Sequence, residues 1–186
     1  MTGTTDDQDR ALLRAMAAGD EKALKAFYRR HQQRIYAFAL QRLGEPADAA
    51  DVLNDVMLTV WHQADRFEGR SRVTTWLLGI THHRILDRIR SRKRQRWEAL
   101  DEEPPDERPD PAWQQTTDDE YRKGLDTCLK ALPAAQRDVV YLAFVEEHGY
   151  PDIARILTVP EGTIKTRMFH ARKALKACLK RLGLMQ

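Results

Sequence analysis

Long hydrophobic runs are missing from this chain of 186 residues. Its longest apolar run, residues 139–145, is far too short to span a bilayer. The N-terminus, MTGTTDDQDR, is polar and acidic and lacks the apolar core of a signal peptide. The sequence therefore predicts a soluble cytoplasmic protein with no membrane insertion.

Cysteine is equally scarce, since Cys128 and Cys178 are the whole supply. Their spacing matches no metal-ligand pattern, and two cysteines do not make a disulfide framework. We expect Cys178 to be a free thiol that packs as a small hydrophobe on a buried helix face, as suits a reducing compartment. No cofactor and no metal is predicted.

Sustained alternation of apolar and polar residues, the mark of a half-buried strand, is also absent. We therefore predict an all-α chain. Asp20 can cap a helix, Gly44 can close it, and Pro46 suits the first turn of the next helix. The helices predicted for the first half are 9–18, 21–43, 46–64 and 73–94.

Charge is unevenly distributed, although the formal net charge is only +3. Residues 84–96 and 165–181 are strongly basic, whereas the proline-rich segment 98–120 is strongly acidic and too polar to order itself. Such asymmetry is typical of proteins that bind nucleic acid. The predicted organisation is an N-terminal tail (1–9), a helical domain (10–96), a flexible acidic linker (97–120) and a second helical domain of four helices (121–184).

The segment 148–183 has the pattern of a short helix, a tight turn and a long basic helix. Phe169 lies opposite the apolar face of the long helix, beside basic and hydroxyl side chains, where it can contact thymine methyl groups in a major groove. The pattern predicts a helix-turn-helix whose second helix reads DNA. A solvated basic face and plain helix packing are the alternatives. The apolar face is predicted to comprise Ile164, Met168, Ala171, Leu175, Cys178 and Leu182.

The third helix carries an acidic stripe beside a wide apolar one. Asp48 lies where it can complement the positive N-terminus of the helix, whereas Asp55 lies further along the helix, where that effect has faded. An acidic stripe on a protein with basic surfaces favours a basic protein partner, with an ordinary solvated face as the alternative. The stripe consists of Asp48, Asp51, Asp55 and His62.

In the fourth helix the apolar stripe changes side near Gly79. The sequence HHRILD, residues 82–87, is similar to the HHxxxD triad of acyl-condensing enzymes but lacks the glycine that follows it. A metal site at His83 and Asp87 has no third ligand nearby in sequence. We therefore expect no enzyme activity from these residues.

Two blocks of the chain resemble the bacterial RNA polymerase sigma factors of the extracytoplasmic function (ECF) group. Residues 12–44 and the segment DAADVLNDVMLTVWHQADRFEGRSRVTTWLLGITHHRILDRIRSRKR resemble sigma region 2. The segment LKALPAAQRDVVYLAFVEEHGYPDIARILTVPEGTIKTRMFHARKAL resembles region 4. Together they span nearly all of residues 12–182, in the right order and without the long intervening region of housekeeping sigma factors.

The resemblance implies two domains that bind core RNA polymerase and promoter DNA. It places the third helix on the β′ clamp helices and the second domain at the β flap, and it implies control by an anti-sigma factor. The implied polymerase-binding residues are Asp51, Asn54, Asp55, Leu58 and Trp61. Those implied for the −10 element are Phe67, Arg70, Ser71, Arg72, Thr75, Trp76, His83 and Arg84. Those implied for the −35 element are Lys165, Thr166, Arg167, Phe169, His170 and Lys173.

The chain departs from the family pattern at several of these positions. Asn54 stands where Gln is common, His83 where Asn is common and His170 where Arg is frequent. Thr158 stands in place of the frequent turn glycine, so the turn lacks a residue suited to positive φ.

A stand-alone helix-turn-helix regulator is the alternative function, but it does not account for the first domain.

Overall fold

A computed structural model describes residues 3–99 and 119–185. The prediction of an all-α chain is confirmed, since within these ranges every regular element is a helix. The chain forms two compact units, Met1–Pro109 and Asp110–Gln186. Most of the predicted linker, residues 100–118, lies outside the described residues. No helix in the described part of the chain is long and apolar enough to cross a membrane.

Four α-helices build the first unit, and their ends follow the predicted signals. Asp20 accepts a hydrogen bond from the backbone N–H of Lys22 at 2.8 Å and so caps α2. Gly44 closes α2 with φ 71°, and Pro46 starts α3. The helices are α1 (Gly3–Ala17), α2 (Glu21–Leu43), α3 (Pro46–Gln63) and α4 (Val73–Ala99), with a 3-10 turn at Ala64–Arg66.

The core of the first unit forms where α4 packs against α1, α2 and α3. Leu77 and Leu78 of α4 are both fully buried although they lie on different faces, because α4 is covered on more than one side. The largest buried side chains of the unit are Leu13, Phe27, Ile35, Phe38, Leu77, Leu78 and Ile85.

Two helix boundaries differ from prediction. Helix α1 begins at Gly3, well before the predicted start at residue 9, and α4 continues to Ala99. The early residues of α1 are polar and mostly exposed, but Arg30 of α2 contacts them. Asp9 is 1% exposed and its carboxylate lies 2.7 Å from Nε of Arg30 and 3.2 Å from Nε2 of His31. The N-terminal segment that is predicted to be a tail is therefore helical, and α2 supplies partners to it.

The second unit contains the four predicted helices: α5 (Asp119–Lys130), α6 (Ala134–Phe144), α7 (Tyr150–Leu157) and α8 (Glu161–Arg181). On α8 the predicted apolar face is confirmed for Ile164, Met168 and Ala171, which are buried. It is wrong for Leu182, which is 46% exposed because α8 ends one residue earlier, at Arg181. Leu179, 6% exposed, is the last buried residue of α8.

The expectation of a free Cys178 is wrong. Cys128 of α5 and Cys178 of α8 form a disulfide, with their Cα atoms 5.8 Å apart, a normal separation for such a bridge. The two residues are separated by 50 positions, so their spacing in sequence gives no sign of the contact. It arises because α5 packs along α8.

Candidate functional site

One face of α3 combines carboxylates with an exposed leucine. Asp51, Asn54, Asp55 and Leu58 follow one another at helical spacing, and all four are exposed. Leu58 is 59% exposed, while Trp61, one turn further on, is half-buried. The structure thus brings the five residues implied for polymerase binding onto one side of α3. We call this surface the α3 face.

Asp48 does not belong to the outward surface. The residue is 5% exposed, and its carboxylate accepts hydrogen bonds from Arg88 of α4 at 2.6 and 2.9 Å and also pairs with Arg92. The hydrogen bond and the charge of Asp48 raise the pKa of the Arg88 guanidinium. Arg88 also reaches Asp51 at 2.7 Å. Asp48 is therefore an anchor for α4, beyond any effect on the N-terminus of its own helix.

Arg84 lies with the α3 face rather than with the loop that precedes α4. Its guanidinium donates to Oγ1 of Thr59 at 2.8 and 3.3 Å. Arg84 then lines a shallow depression together with Asp55, Leu58 and His62. Because Arg84, Arg88 and Arg92 recur every fourth position, α4 turns one row of arginines towards α3.

The opposite row of α4 is exposed and basic. Trp76, His83, Arg90 and Arg94 share this face at helical spacing, with Trp76 half-buried and the others exposed. The sequence could not separate the two rows, since both lie in one basic run. Their difference arises because α3 provides partners to Arg84, Arg88 and Arg92.

The loop 67–72 leads into this exposed row. The rings of Phe67 and Trp76 lie 5.4 Å apart at a tilt of 57°, and Arg70 is exposed beside Glu68. Ser71 and Arg72 are half-buried. We call these residues, with the start of α4, the aromatic loop.

Thr75, which the family resemblance assigns to the −10 element, is buried. Its side chain is 3% exposed, because position 75 falls on the same buried stripe of α4 as Leu78, His82 and Ile85. Thr75 is thus enclosed in the first unit and presents no surface to DNA.

Two residues of α1 that sequence reasoning missed contact the aromatic loop. Asp6 accepts a hydrogen bond from the backbone N–H of Val73 at 2.7 Å. Arg10 donates to the carbonyl of Ser71 at 3.0 Å and lies over the ring of Phe67 at 5.3 Å. The sequence signals only that a local cap is missing, because Arg72 precedes α4 where a capping residue is expected. It does not indicate which distant residue supplies the cap.

In the second unit, α8 presents the residues implied for −35 reading. Phe169 is 64% exposed, and its ring meets that of His170 edge-on at 5.5 Å. The Glu161 carboxylate accepts a hydrogen bond from Lys165 at 2.7 Å, which raises the pKa of Lys165. Arg167 is half-buried, and the remaining members of the set, Thr166 and Lys173, are exposed. We call this surface the α8 face.

The turn before α8 keeps a left-handed residue without a glycine. Thr158 has φ 54° and ψ 47° and ends α7, a conformation that is unfavourable for a β-branched residue. The helix-turn-helix geometry is therefore retained in spite of the residue at its turn.

The HHRILD residues do not converge. His82 is 7% exposed whereas His83 is exposed, and their ring centres are 6.1 Å apart. The Asp87 carboxylate lies 3.8 Å from Arg84 and 3.7 Å from Arg90. Among the residues that the structure describes, no group of three metal-ligating side chains is found.

Comparison with known proteins matches both blocks. The Sigma-70 region 2 family model matches residues 27–95, and the Sigma-70, region 4 model matches residues 122–175. The ECF RNA polymerase sigma factor SigK of Mycolicibacterium vanbaalenii is 33% identical over 175 residues, which cover 91% of this chain and 88% of that protein.

Solved structures agree with these matches. The sigma factor RpoE of Bartonella quintana, crystallised with the anti-sigma factor NepR, superposes with a TM-score of 0.69 at 27% identity. The match covers 86% of this chain and 98% of that one. CnrH, solved in complex with the cytosolic domain of CnrY, shares the fold with a TM-score of 0.64 at 22% identity, over 94% of this chain and 98% of CnrH.

Proposed function

The chain belongs to the ECF group of the sigma-70 family, and we propose that its two units divide promoter recognition between them. As a sigma factor it directs core RNA polymerase to specific promoters. In this proposal the first unit docks on the β′ clamp helices and reads the −10 element, and the second unit contacts the β flap and reads the −35 element.

The α3 face carries the proposal, because a stand-alone DNA-binding regulator has no use for it. An exposed leucine on the same helix face as two carboxylates offers an apolar anchor with charged neighbours, the usual composition of a protein interface. Asp51 and Asp55 suit a basic partner surface, which favours fast and salt-sensitive association. Leu58 supplies the buried contact once the partner is in place.

The aromatic loop and the exposed row of α4 suit an opened DNA strand. An extruded base needs a shaped pocket with stacking partners, which Phe67 and Trp76 supply. The single strand that follows needs cationic contacts along its backbone, and Arg90 and Arg94 continue the row. His83 lies between these two groups, where it contacts bases or sugars of the same strand.

The α8 face suits a duplex major groove. Phe169 offers apolar contact to thymine methyl groups, and His170 offers hydrogen bonds to base edges. Lys165, Arg167 and Lys173 hold the backbone phosphates, which fixes the position of α8 without reading sequence. This unit also exposes Phe144 and Val145 by 63% and 62% at the end of α6, and we assign that apolar pair to the contact with the β flap.

The proposal includes an anti-sigma partner, cytoplasmic location and no catalysis. Bartonella RpoE was crystallised with an anti-sigma factor, and a partner of that kind can silence this chain by covering the α3 face. Sigma factors act through binding energy, so HHRILD has no nucleophile or general base to supply. The polymerase and promoter that the chain serves lie in the cytoplasm.

Run-off transcription with core polymerase tests the proposal. We expect Leu58→Asp to abolish polymerase binding and transcript, because it places a charge at the apolar anchor. Met185→Asp is the matched control, since Met185 is also an exposed apolar residue but lies outside all three surfaces. A chain that stimulates no promoter-specific transcript, or that binds promoters equally well without polymerase, would be a stand-alone regulator instead.

A further inference from the structure

We infer that Asp6 and Arg10 of α1 set the conformation of the aromatic loop and are positioning residues for −10 recognition. The inference rests on the proposed role of that loop. It assigns a function to the first turns of α1, a segment whose sequence gives no hint of contact with DNA-reading residues.

Asp6 supplies the N-terminal cap that α4 lacks in its own sequence. The first N–H groups of a helix need acceptors, and an aspartate just before the helix usually provides one. Here the residue before Val73 is Arg72, and the acceptor is Oδ1 of Asp6, 67 positions away in the chain. The start of α4 is therefore fixed by a side chain from α1.

Arg10 contacts the loop at two points. Its Nε pairs with Asp6 at 2.6 Å, so the two side chains hold each other in place. From there the guanidinium donates to the carbonyl of Ser71 at 3.0 Å and faces the ring of Phe67 at 5.3 Å. A planar donor that also stacks on an aromatic ring is a geometry that Arg provides and Lys does not.

Gly69 shows how closely the loop wraps this guanidinium. A Cβ atom at position 69 would lie 2.8 Å from Nη1 of Arg10, and the residue has φ +73°. The left-handed backbone favours glycine at this position, and a side chain there would push the Arg10 guanidinium away from the loop.

These contacts act on the ring pair that is proposed to receive the base. Phe67 contacts both Arg10 and Trp76, at 5.3 and 5.4 Å respectively. Loss of Arg10 frees one side of Phe67 and the carbonyl of Ser71 together, so the pocket loses its fixed shape before DNA arrives. A site that must order itself on binding has weaker affinity and poorer discrimination.

Arg30 offers a matched control on the same helix pair. It links α2 to α1 through Asp9 at 2.7 Å and Gln8 at 2.9 Å, and it is as exposed as Arg10, 32% against 31%. These contacts all lie on α1, away from the loop. Arg30→Ala therefore weakens the packing of α1 without touching the −10 surface.

The experiment uses full-length protein with core polymerase and forked promoters that carry 2-aminopurine in the −10 element. We expect Arg10→Ala to slow extrusion of the base by about tenfold and to flatten the preference in a randomised −10 library. Arg10→Lys should recover little of this. Arg30→Ala should lower the thermal midpoint at least as much and leave extrusion rate and base preference unchanged.

Two outcomes separate failure of this inference from failure of the proposed function. Equal effects of Arg10→Ala and Arg30→Ala on base preference would reduce Arg10 to general packing and overturn the inference. Phe67→Ala and Trp76→Ala test the loop itself. If both leave the −10 preference unchanged, the loop is not the reader and the proposed function fails with it.

Discussion

Thr158 keeps a conformation that its side chain opposes. A left-handed β-branched residue costs about 1–2 kcal/mol, and the turn tolerates this cost because the packing of α7 and α8 determines its path. Strain at a single residue thus coexists with an intact DNA-reading unit.

Thr158→Gly should raise the free energy of unfolding of the second unit by about 1 kcal/mol, since glycine adopts φ 54° freely. Part of the gain is offset by the greater freedom of glycine in the unfolded chain. Thr158→Ala is the control, because it removes the branch but keeps Cβ. Hydrogen exchange of α8 amides measures the change, and equal protection in all three proteins would show that the turn stores no strain.

Phe169 and Lys173 are exposed neighbours on α8 with different assigned tasks. Phe169→Ala should change which bases are preferred at one or two −35 positions, by about 1–3 kcal/mol each. Lys173→Ala should weaken binding to all sequences alike and reduce its salt dependence, as expected for a phosphate contact. A randomised −35 library read with polymerase present distinguishes the two, and identical preferences for wild type and Phe169→Ala would refute the base contact.

Helix α3 carries out two tasks with carboxylates that look alike in sequence. Asp48 anchors Arg88 and Arg92, Asp51 shares Arg88, and Asp55 faces outward. Charge reversal at Asp51 therefore disturbs the α3–α4 contact as well as the surface. Asp55 is the clean probe of partner binding.

Asp55→Lys should lower the affinity for core polymerase most at low salt, because rim charges act mainly on the association rate. Thermal stability should be unchanged. Asp48→Asn should do the reverse, since it leaves Arg88 and Arg92 without their buried partner while the α3 face stays intact. Polymerase pull-downs at two salt concentrations, with thermal melts, test both, and wild-type binding by Asp55→Lys would contradict the interface.

The Cys128–Cys178 bridge ties α5 to the end of α8. A cross-link over 50 positions stabilises the folded state by about 4 kcal/mol when its effect is counted as lost entropy of the unfolded chain. Such bonds are rare in a reducing cytoplasm unless they are transient or sense redox state.

Because both cysteines lie in the second unit, reduction of the bridge should lower the stability of that unit and leave the first unit unchanged. Thermal melts with and without dithiothreitol measure this, with Cys178→Ser as the control that reductant cannot affect further. If wild type and Cys178→Ser melt alike under oxidising conditions, the bridge contributes nothing to the fold.

At the scale of the whole molecule, signals that act within one helix predicted most of the helix ends, whereas contacts between distant segments could not be predicted. Asp20, Gly44 and the exposed Phe169 were predictable because each acts through its own helix. The Asp6 cap and the disulfide were not, because in each case the partner lies many positions away. The family resemblance supplied the roles of the surfaces, but it did not separate the two rows of α4.

The two DNA surfaces should act together only when core polymerase holds both units. Each unit offers a small basic surface, and the formal net charge of the chain is only +3, so the free protein should bind duplex promoters weakly and with strong salt dependence. Removing the −10 sequence from the promoter should then lower the affinity of the free protein only a little. With core polymerase holding both units, the second contact becomes intramolecular and its effective concentration rises. Removing either element should now cost far more than it does for the free chain. Binding assays on promoters with one or both elements, with and without polymerase, measure the difference, and a free chain that already discriminates between them would show that its two units need no polymerase to act as one.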